Sequence, residues 1–232
     1  MNVALVGSTG FVGSHILTTL LSQPSISTVH AFSRKPLSAS DPSSKLHPIP
    51  EPDSSKWPSL YPASTTLFLS ALGTTRAAAG GFANQRKIDH DLNVSLAHAA
   101  STSGGVSTYV LISSSGASAS SPIGYARMKG ETEVAVSELG FEHVVILRPG
   151  LIAGERKESR PAEMVVRKVA AGLGRIHAAL KDGWAQDAEV IARAAVRAGE
   201  MCVRGEKPEG VGKVWVLGQA DIVRLGRTEW KE

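Results

Sequence analysis

Residues 1–22 read Met1-Asn2-Val3-Ala4-Leu5-Val6-Gly7-Ser8-Thr9-Gly10-Phe11-Val12-Gly13-Ser14-His15-Ile16-Leu17-Thr18-Thr19-Leu20-Leu21-Ser22. The first six residues have the unbroken apolar character of a strand covered on both faces. Phe11 to Ser22 then repeats apolar residues at helical spacing, with Val12, Ile16, Leu17, Leu20 and Leu21 on one side, and Pro24 follows the stop. Between strand and helix lies a G-x-x-G-x-x-G turn. Gly7 permits the tight turn, Gly10 lets backbone approach a pyrophosphate, and Gly13 lets the helix pack closely on the strand. The free N–H groups and partial positive charge of the helix start suit phosphate. Gly7, Ser8, Thr9, Gly10, Phe11, Val12 and Gly13 are therefore the first candidate binding residues, and the ligand they predict is a dinucleotide.

Working outward, strands are expected at Thr28–Ser33, Thr66–Ala71, Ser107–Ser113, His143–Arg148 and Lys213–Leu217. Helices are expected at about Phe82–Ser101, Gly124–Leu139, Arg160–Leu173 and Asp187–Val203. This alternation predicts an α/β fold, a Rossmann-type doubly wound parallel sheet with helices on both faces and right-handed crossovers. Pro36 to Ser64, rich in Pro and Ser, reads as a long surface loop with one short strand or turn near Leu46–Ile49. The chain is read as a single domain over 1–232, with a cofactor-binding core at 1–150 and a small, more helical C-terminal extension at 151–232 forming the substrate side.

The second strand ends in Phe32-Ser33-Arg34-Lys35. An NAD-preferring site usually carries Asp or Glu here, accepting from the ribose 2′-hydroxyl. Here two cations stand instead, and a guanidinium can pair a 2′-phosphate bidentately while stacking on adenine. Ser33, Arg34 and Lys35 therefore predict NADP(H). Leu72, Gly73 and Thr74, past the Thr66–Ala71 strand, are expected to flank the adenosine side. Asn93 lies on the following helix, where it could bend the helix, hold a water for proton relay, or be an ordinary satisfied polar residue.

Ile112-Ser113-Ser114-Ser115-Gly116 closes another strand, and Tyr125-Ala126-Arg127-Met128-Lys129 opens a helix. Tyr and Lys four apart share a helical face. An ammonium beside a phenol favours the phenolate, so Lys129 is expected to lower the Tyr125 pKa from its usual value near 10. Tyr125 could then exchange a proton with a carbonyl or alcohol oxygen. Ser114 is chosen as the hydroxyl that holds the same oxygen, with Ser113 and Ser115 open as neighbours. Lys129 could also hold the nicotinamide ribose.

Composition narrows the class. The 232 residues are 42% hydrophobic and 20% charged, ordinary for a globular chain that buries its own core. Cys202 is the single cysteine, so no internal disulfide forms, which suits a reducing compartment; core packing is its expected role. Net charge is +4 and the isoelectric point is near 9.3, but the basic residues are interleaved with acids and no basic run alternates with aromatics, so no nucleic acid is expected. No metal-ligand spacing is found. No stretch reaches the roughly 18 apolar residues of a membrane span, and with a strand starting at Asn2 no cleavable leader is expected.

The segments GSTGFVG (7–13), SALGTTR (70–76), KIDHDLN (87–93), YVLISSSGAS (109–118), YARMKGETE (125–133) and ILRPGLIAGERKESRP (146–161) together resemble the atypical branch of the short-chain dehydrogenase/reductase superfamily. The closer likeness is to a family that includes a human Tat-interacting oxidoreductase-like protein and fungal proteins of the mitochondrial outer membrane. The resemblance implies NADP(H) binding, roles for Ser114, Tyr125 and Lys129, and a turn from Pro149 to Ile152, with Pro149 and Leu151, near the nicotinamide. It also implies peripheral attachment to the mitochondrial outer membrane; the chain by itself would otherwise be placed in the cytoplasm. One departure is a Ser114–Tyr125 separation somewhat shorter than in the better-studied members, so the loop between them should hold substrate differently. The expectation is an oxidoreductase moving a hydride between nicotinamide and a small carbonyl or alcohol substrate, its outer side built from Arg156 onward with Met164 and Trp184 as lining. The alternative is an NADP(H)-binding regulator or scaffold without turnover.

Overall fold

The computed structural model describes residues 1–37, 43–102, 105–153 and 185–230. Strands β1 (Asn2–Val6), β2 (Thr28–Ser33), β3 (Leu46–Pro50), β4 (Leu67–Ser70), β5 (Thr108–Ile112) and β6 (His143–Leu147) all belong to one sheet. Two short strands, β7 (Leu151–Ala153) and β8 (Ala185–Asp187), pair with each other as a separate parallel ribbon. A last strand, β9 (Val214–Leu217), returns to the main sheet, whose order is β3-β2-β1-β4-β5-β6-β9 with every pair parallel.

Parallel strands must be covered on both faces, and the apolar runs meet that need. Along β1, Val3 and Leu5 enter one core with α1 (Phe11–Ser22), while Ala4 and Val6 enter the other. The first core is completed by α5 (Ala188–Val203), whose Ala192, Ala195 and Val196 are fully buried. The second core gathers Phe68, Tyr109 and Phe141 under α3 (Asn93–Thr102) and α4 (Gly124–Ser137). Ring pairs link these aromatics, with Tyr109 and Phe141 stacked at 5.3 Å. A short helix, α6 (Gln219–Val223), follows β9.

Three regions differ from the sequence reading. The single helix expected over Phe82–Ser101 is α2 (Phe82–Arg86), a π-helical stretch (Lys87–Leu92) and α3. Asn93 holds that wider turn, its amide donating to the carbonyls of Asp89 (3.0 Å) and Ile88 (3.5 Å). The long loop read at 36–64 contains β3 and a 3-10 helix (Ser54–Leu60). β3 tolerates Pro48 and Pro50 because it is an edge strand, and the 3-10 helix delivers Trp57 into the core beside Phe32. The boundary drawn at residue 150 does not coincide with the edge of the packed core, since α5 and β9 complete it. The helix expected at 160–173, and Arg156, Met164 and Trp184, lie outside the described residues.

Strand order reverses between β1 and β4, so the loops leaving their carboxyl ends diverge and open a crevice. Every candidate residue after β1, β2, β4 and β5 therefore comes to the same edge of the sheet.

Candidate active site

At the crevice floor the glycines are required by distance. Gly7 has φ +80°, and a Cβ there would lie 2.5 Å from the Ala71 carbonyl oxygen. A Cβ on Gly13 would lie 1.9 Å from the Gly7 carbonyl oxygen, backbone that cannot swing aside. Gly10 is the N-cap of α1 and offers no side-chain acceptor, so the first N–H groups of that helix face the cleft. The buried Ser8 hydroxyl donates to the Phe32 carbonyl at 3.2 Å and ties the loop to β2. Ser8 thus acts on the loop's shape. Thr9, Phe11 and Val12 line the clefts on either side of Gly10.

The cleft between the glycine loop and the end of β2 is about 320 Å³ and is bounded by Gly7, Thr9, Ser33, Arg34, Trp57 and Leu72 among others. The Ser33 hydroxyl there is buried and has no hydrogen-bond partner among the described residues. Arg34 is exposed and makes no ion pair among the described residues. The nearby acids are engaged locally. Glu51 accepts from the Asp53 N–H at 2.8 Å, and Asp53 caps the 3-10 helix through the Ser55 N–H at 3.0 Å. Lys35 is exposed and lies outside the cleft lining.

The cleft continues past the start of α1 into a second volume of about 470 Å³. There Gly10, Phe11 and Val12 face Asp89, Ser113, Tyr125, Lys129 and Ile152. Tyr125 is 42% exposed, and Lys129 is 3% exposed. The ammonium of Lys129 donates to the Ile112 carbonyl at 3.0 Å. Burial lowers the Lys129 pKa, and the carboxylates of Asp89 and Glu133 oppose that shift.

The Tyr125 phenol departs from expectation. Loss of hydration raises its pKa first, the Asp89 carboxylate raises it further, and a hydrogen bond with Ser114 opposes both. The expected lowering by Lys129 is not found, because the ammonium is directed to Ile112 and balanced by Asp89 and Glu133. Tyr125 is therefore a protonated phenol at neutral pH.

The serines separate by environment. Ser113 is buried and donates to Glu133, which also receives Arg148 through Nε at 3.1 Å and through Nη2. Ser115 is exposed and accepts from Gln219 at 3.4 Å. Ser114 is half-buried, its Oγ donates to the Ser115 carbonyl at 3.3 Å, and it is the serine whose hydroxyl acts on the Tyr125 phenol.

Other predicted residues stand back from the clefts. Asn93 is fully buried and lines neither cleft; it accepts from Ser70 Oγ and donates to the Leu72 carbonyl at 3.3 Å, shaping the loop that carries Leu72, Gly73 and Thr74. Pro149 accepts from the Ser115 N–H at 2.8 Å, and Leu151 begins β7, leaving Ile152 to face the cleft.

Asp89 was missed by the sequence reading. It is 2% exposed, accepts from the Thr74 N–H at 2.8 Å, and its pKa is pushed up to about 6 by burial, with the Thr74 bond and Lys129 opposing. Its signal was an acid four residues before Asn93 on the inner face of a helix, where an unpaired carboxylate is costly. Glu133 and Arg148 were missed too. Glu133 stands four residues past Lys129, on the same helical face.

The model of the NAD dependent epimerase/dehydratase family matches residues 3–190. The chain is 56% identical over 230 residues to "Protein fmp52, mitochondrial" of Aspergillus clavatus, covering 97% of this chain and 98% of that protein. It is 50% identical over 240 residues to "Protein fmp-52, mitochondrial" of Neurospora crassa, covering 100% and 97%. Among solved structures, MoeE5 in complex with UDP-glucose and NAD superposes with a TM-score of 0.65 at 17% identity, over 99% of this chain and 82% of that one. The human epimerase family protein SDR39U1 with NADPH gives 0.62 at 15% identity, over 94% and 73%. These two likenesses concern the fold alone. The chain belongs to the NAD dependent epimerase/dehydratase family and, within it, stands with the fungal mitochondrial Fmp52 proteins.

Proposed function

We propose that the protein is an NADP(H)-dependent oxidoreductase that reduces a carbonyl compound to an alcohol. The observation that carries this reading is one cleft that presents both the glycine-loop helix start and the Tyr125–Lys129 pair. The residues present fit a dinucleotide: Gly7 and Gly10 line the cleft with bare backbone at the start of α1, and among the described residues the Ser33 hydroxyl has no hydrogen-bond partner and the Arg34 guanidinium no ion pair. Gly10 and the first turn of α1 would hold the pyrophosphate, and Arg34 a 2′-phosphate. When bound, the reduced nicotinamide supplies the hydride.

The chain's own residues supply the proton. Tyr125, held as the neutral phenol, donates its hydroxyl proton to the carbonyl oxygen. Ser114 donates a hydrogen bond to the same oxygen, fixing it and sharing the developing negative charge. Lys129, its ammonium anchored on the Ile112 carbonyl, would hold the nicotinamide ribose, and Asp89 and Glu133 oppose the loss of its charge on burial.

Tyr125→Phe removes one hydroxyl and keeps the ring. NADPH oxidation with a panel of aldehydes, ketones and quinones should fall about a hundredfold or more, while NADPH affinity is retained. The parent rate should hold through neutral pH and fall only above the ordinary tyrosine value of about 10, as the phenol loses its proton. Equal rates in the two proteins would overturn the assignment of Tyr125. NADPH binding without oxidation across the panel would favour the regulatory reading.

The relatives are named mitochondrial, and among the described residues no helix is long and apolar enough to cross a membrane. We place the protein at the mitochondrial outer membrane as a peripheral protein. Alkaline carbonate should release it from isolated mitochondria; retention in the pellet would refute peripheral attachment.

A further inference from the structure

Beside Tyr125, on the side away from the glycine loop, lies a third groove of about 720 Å³. Such a volume is in the upper part of the range of about 300–1,000 Å³ usual for small-molecule sites. Its walls are Phe82 and Ile123, with the Tyr125 ring at one end and Arg76 among the lining residues. Phe82 leans across the start of α4, its ring tip 3.3 Å from where a Gly124 Cβ would sit. Ile123 is 67% exposed, an apolar side chain left in solvent beside the proton donor. The Gln85 amide nitrogen donates to the Thr74 carbonyl at 3.0 Å. No carboxylate lines the groove, and Arg76 makes no ion pair among the described residues.

The groove's exposed surface is chiefly apolar, so most of a sugar's hydroxyls would face Phe82 and Ile123 rather than the few polar groups of Thr74, Thr75 and Arg76. An apolar body would bury Phe82 and Ile123, and an anion would find one cation and, among the described lining residues, no competing acid. We propose that this groove takes carbonyl compounds with an extended apolar body and an anionic end, chemically the oxo-carboxylic acids, with the carbonyl at Tyr125 and the anion at Arg76. The proposal rests on the reading of Tyr125 as proton donor only for which end of the ligand points inward.

The test is binding, and needs no turnover. The whole protein is titrated with cis-parinaric acid, a fluorescent apolar carboxylate, and with its neutral methyl ester. The acid should bind saturably, be displaced by 9-oxononanoic acid, and not be displaced by glucose 6-phosphate. Arg76→Gln should weaken the acid about three- to fivefold, the worth of a largely exposed ion pair, leave the ester little changed, and be rescued by Arg76→Lys. Ile123→Glu, placed in solvent at a helix start where an acid is tolerated, should weaken both probes, the acid about tenfold. Thermal melting checks that each variant is folded; if Arg76→Gln is not, the acid-to-ester ratio and Ile123→Glu decide.

No saturable binding, displacement by the sugar phosphate, or wild-type acid affinity in both Arg76→Gln and Ile123→Glu overturns the proposal. If parinarate behaves as expected but NADPH is never oxidised, the groove stands and the catalytic reading fails. If NADPH is oxidised with small polar aldehydes and parinarate does not slow it, the catalytic reading stands and the groove assignment fails.

Discussion

The two ends of the cofactor crevice are built from different materials. At the β1 end, backbone meets backbone. Gly7 sits against Ala71 and Gly13 against Gly7, and the Ser8 hydroxyl ties the loop to β2. At the β5 end, the scaffold is a buried set of charges. Lys129 lies between Asp89 and Glu133, and Glu133 is held by Arg148 and Ser113. The first end tolerates no added atom because close-packed backbone cannot give. The second can accept shape changes but no unpaired charge, because a buried ion without its partner loses hydration and gains nothing in return. The same crevice is therefore sensitive to volume at one end and to protonation at the other.

The largest expected effect comes from breaking the backbone end. Gly13→Ala forces a methyl to 1.9 Å from the Gly7 oxygen. Overpacking usually costs about 1–3 kcal/mol, and with backbone on both sides the cost here should reach the top of that range or exceed it. Urea denaturation should show the loss in midpoint, and NADPH affinity should fall with it. A variant as stable as the parent would mean that α1 can slide along β1, contrary to the contact described.

The charged end is probed by pH. Asp89 has a folded-state pKa pushed up to about 6, above the ordinary aspartate value near 3.9. The fold therefore favours its protonated form. Its contribution to stability is fully present below about pH 4 and is lost as pH rises through about 6, a change of roughly 2–3 kcal/mol. In Asp89→Asn this titration is absent. The stability difference, parent minus variant, should fall by that amount between pH 4 and 7. Other groups titrate in both proteins and cancel in the difference. A difference independent of pH would show that Asp89 is hydrated in the fold. Gly13→Ala should show no such pH signature, which sharpens the contrast.

The smallest effect concerns the outer rim of the backbone end. Arg34 is exposed, so its contact with a 2′-phosphate is partly screened and worth roughly 1 kcal/mol, about five- to tenfold in affinity. NADPH should bind more tightly than NADH by that factor, and Arg34→Ala should remove the preference. Trp57 lines this cleft, so its fluorescence can follow both titrations. Equal affinities for the two cofactors in the parent would refute the NADP(H) assignment.

How much of this was legible follows the same division. The strand–glycine loop–helix of residues 2–22 could be read directly, since each requirement is local: strand burial, a turn needing φ above zero, an amphipathic helix. The strands' existence followed from apolar runs, and their parallel order from the alternation with helices. Tyr125 and Lys129 could be paired because helical spacing alone puts them on one face. The edge strand β3 and Trp57 were hidden by the prolines around them. Asp89 and Glu133 share helical faces with Asn93 and Lys129, but spacing alone does not say that a face is buried, and burial is what makes these acids matter. The sequence left Ser113, Ser114 and Ser115 equivalent.

The sequence by itself determined the parallel α/β architecture, the glycine cradle, the cations after β2 and the Tyr–Lys pair, because each depends on interactions within a few turns of chain. Only the tertiary structure decided which serine meets the tyrosine and that Asp89, from a helix 36 residues away in the chain from Tyr125, raises the phenol's pKa rather than letting Lys129 lower it. Those outcomes depend on burial and on charges from separate elements, and both are properties of the packed fold.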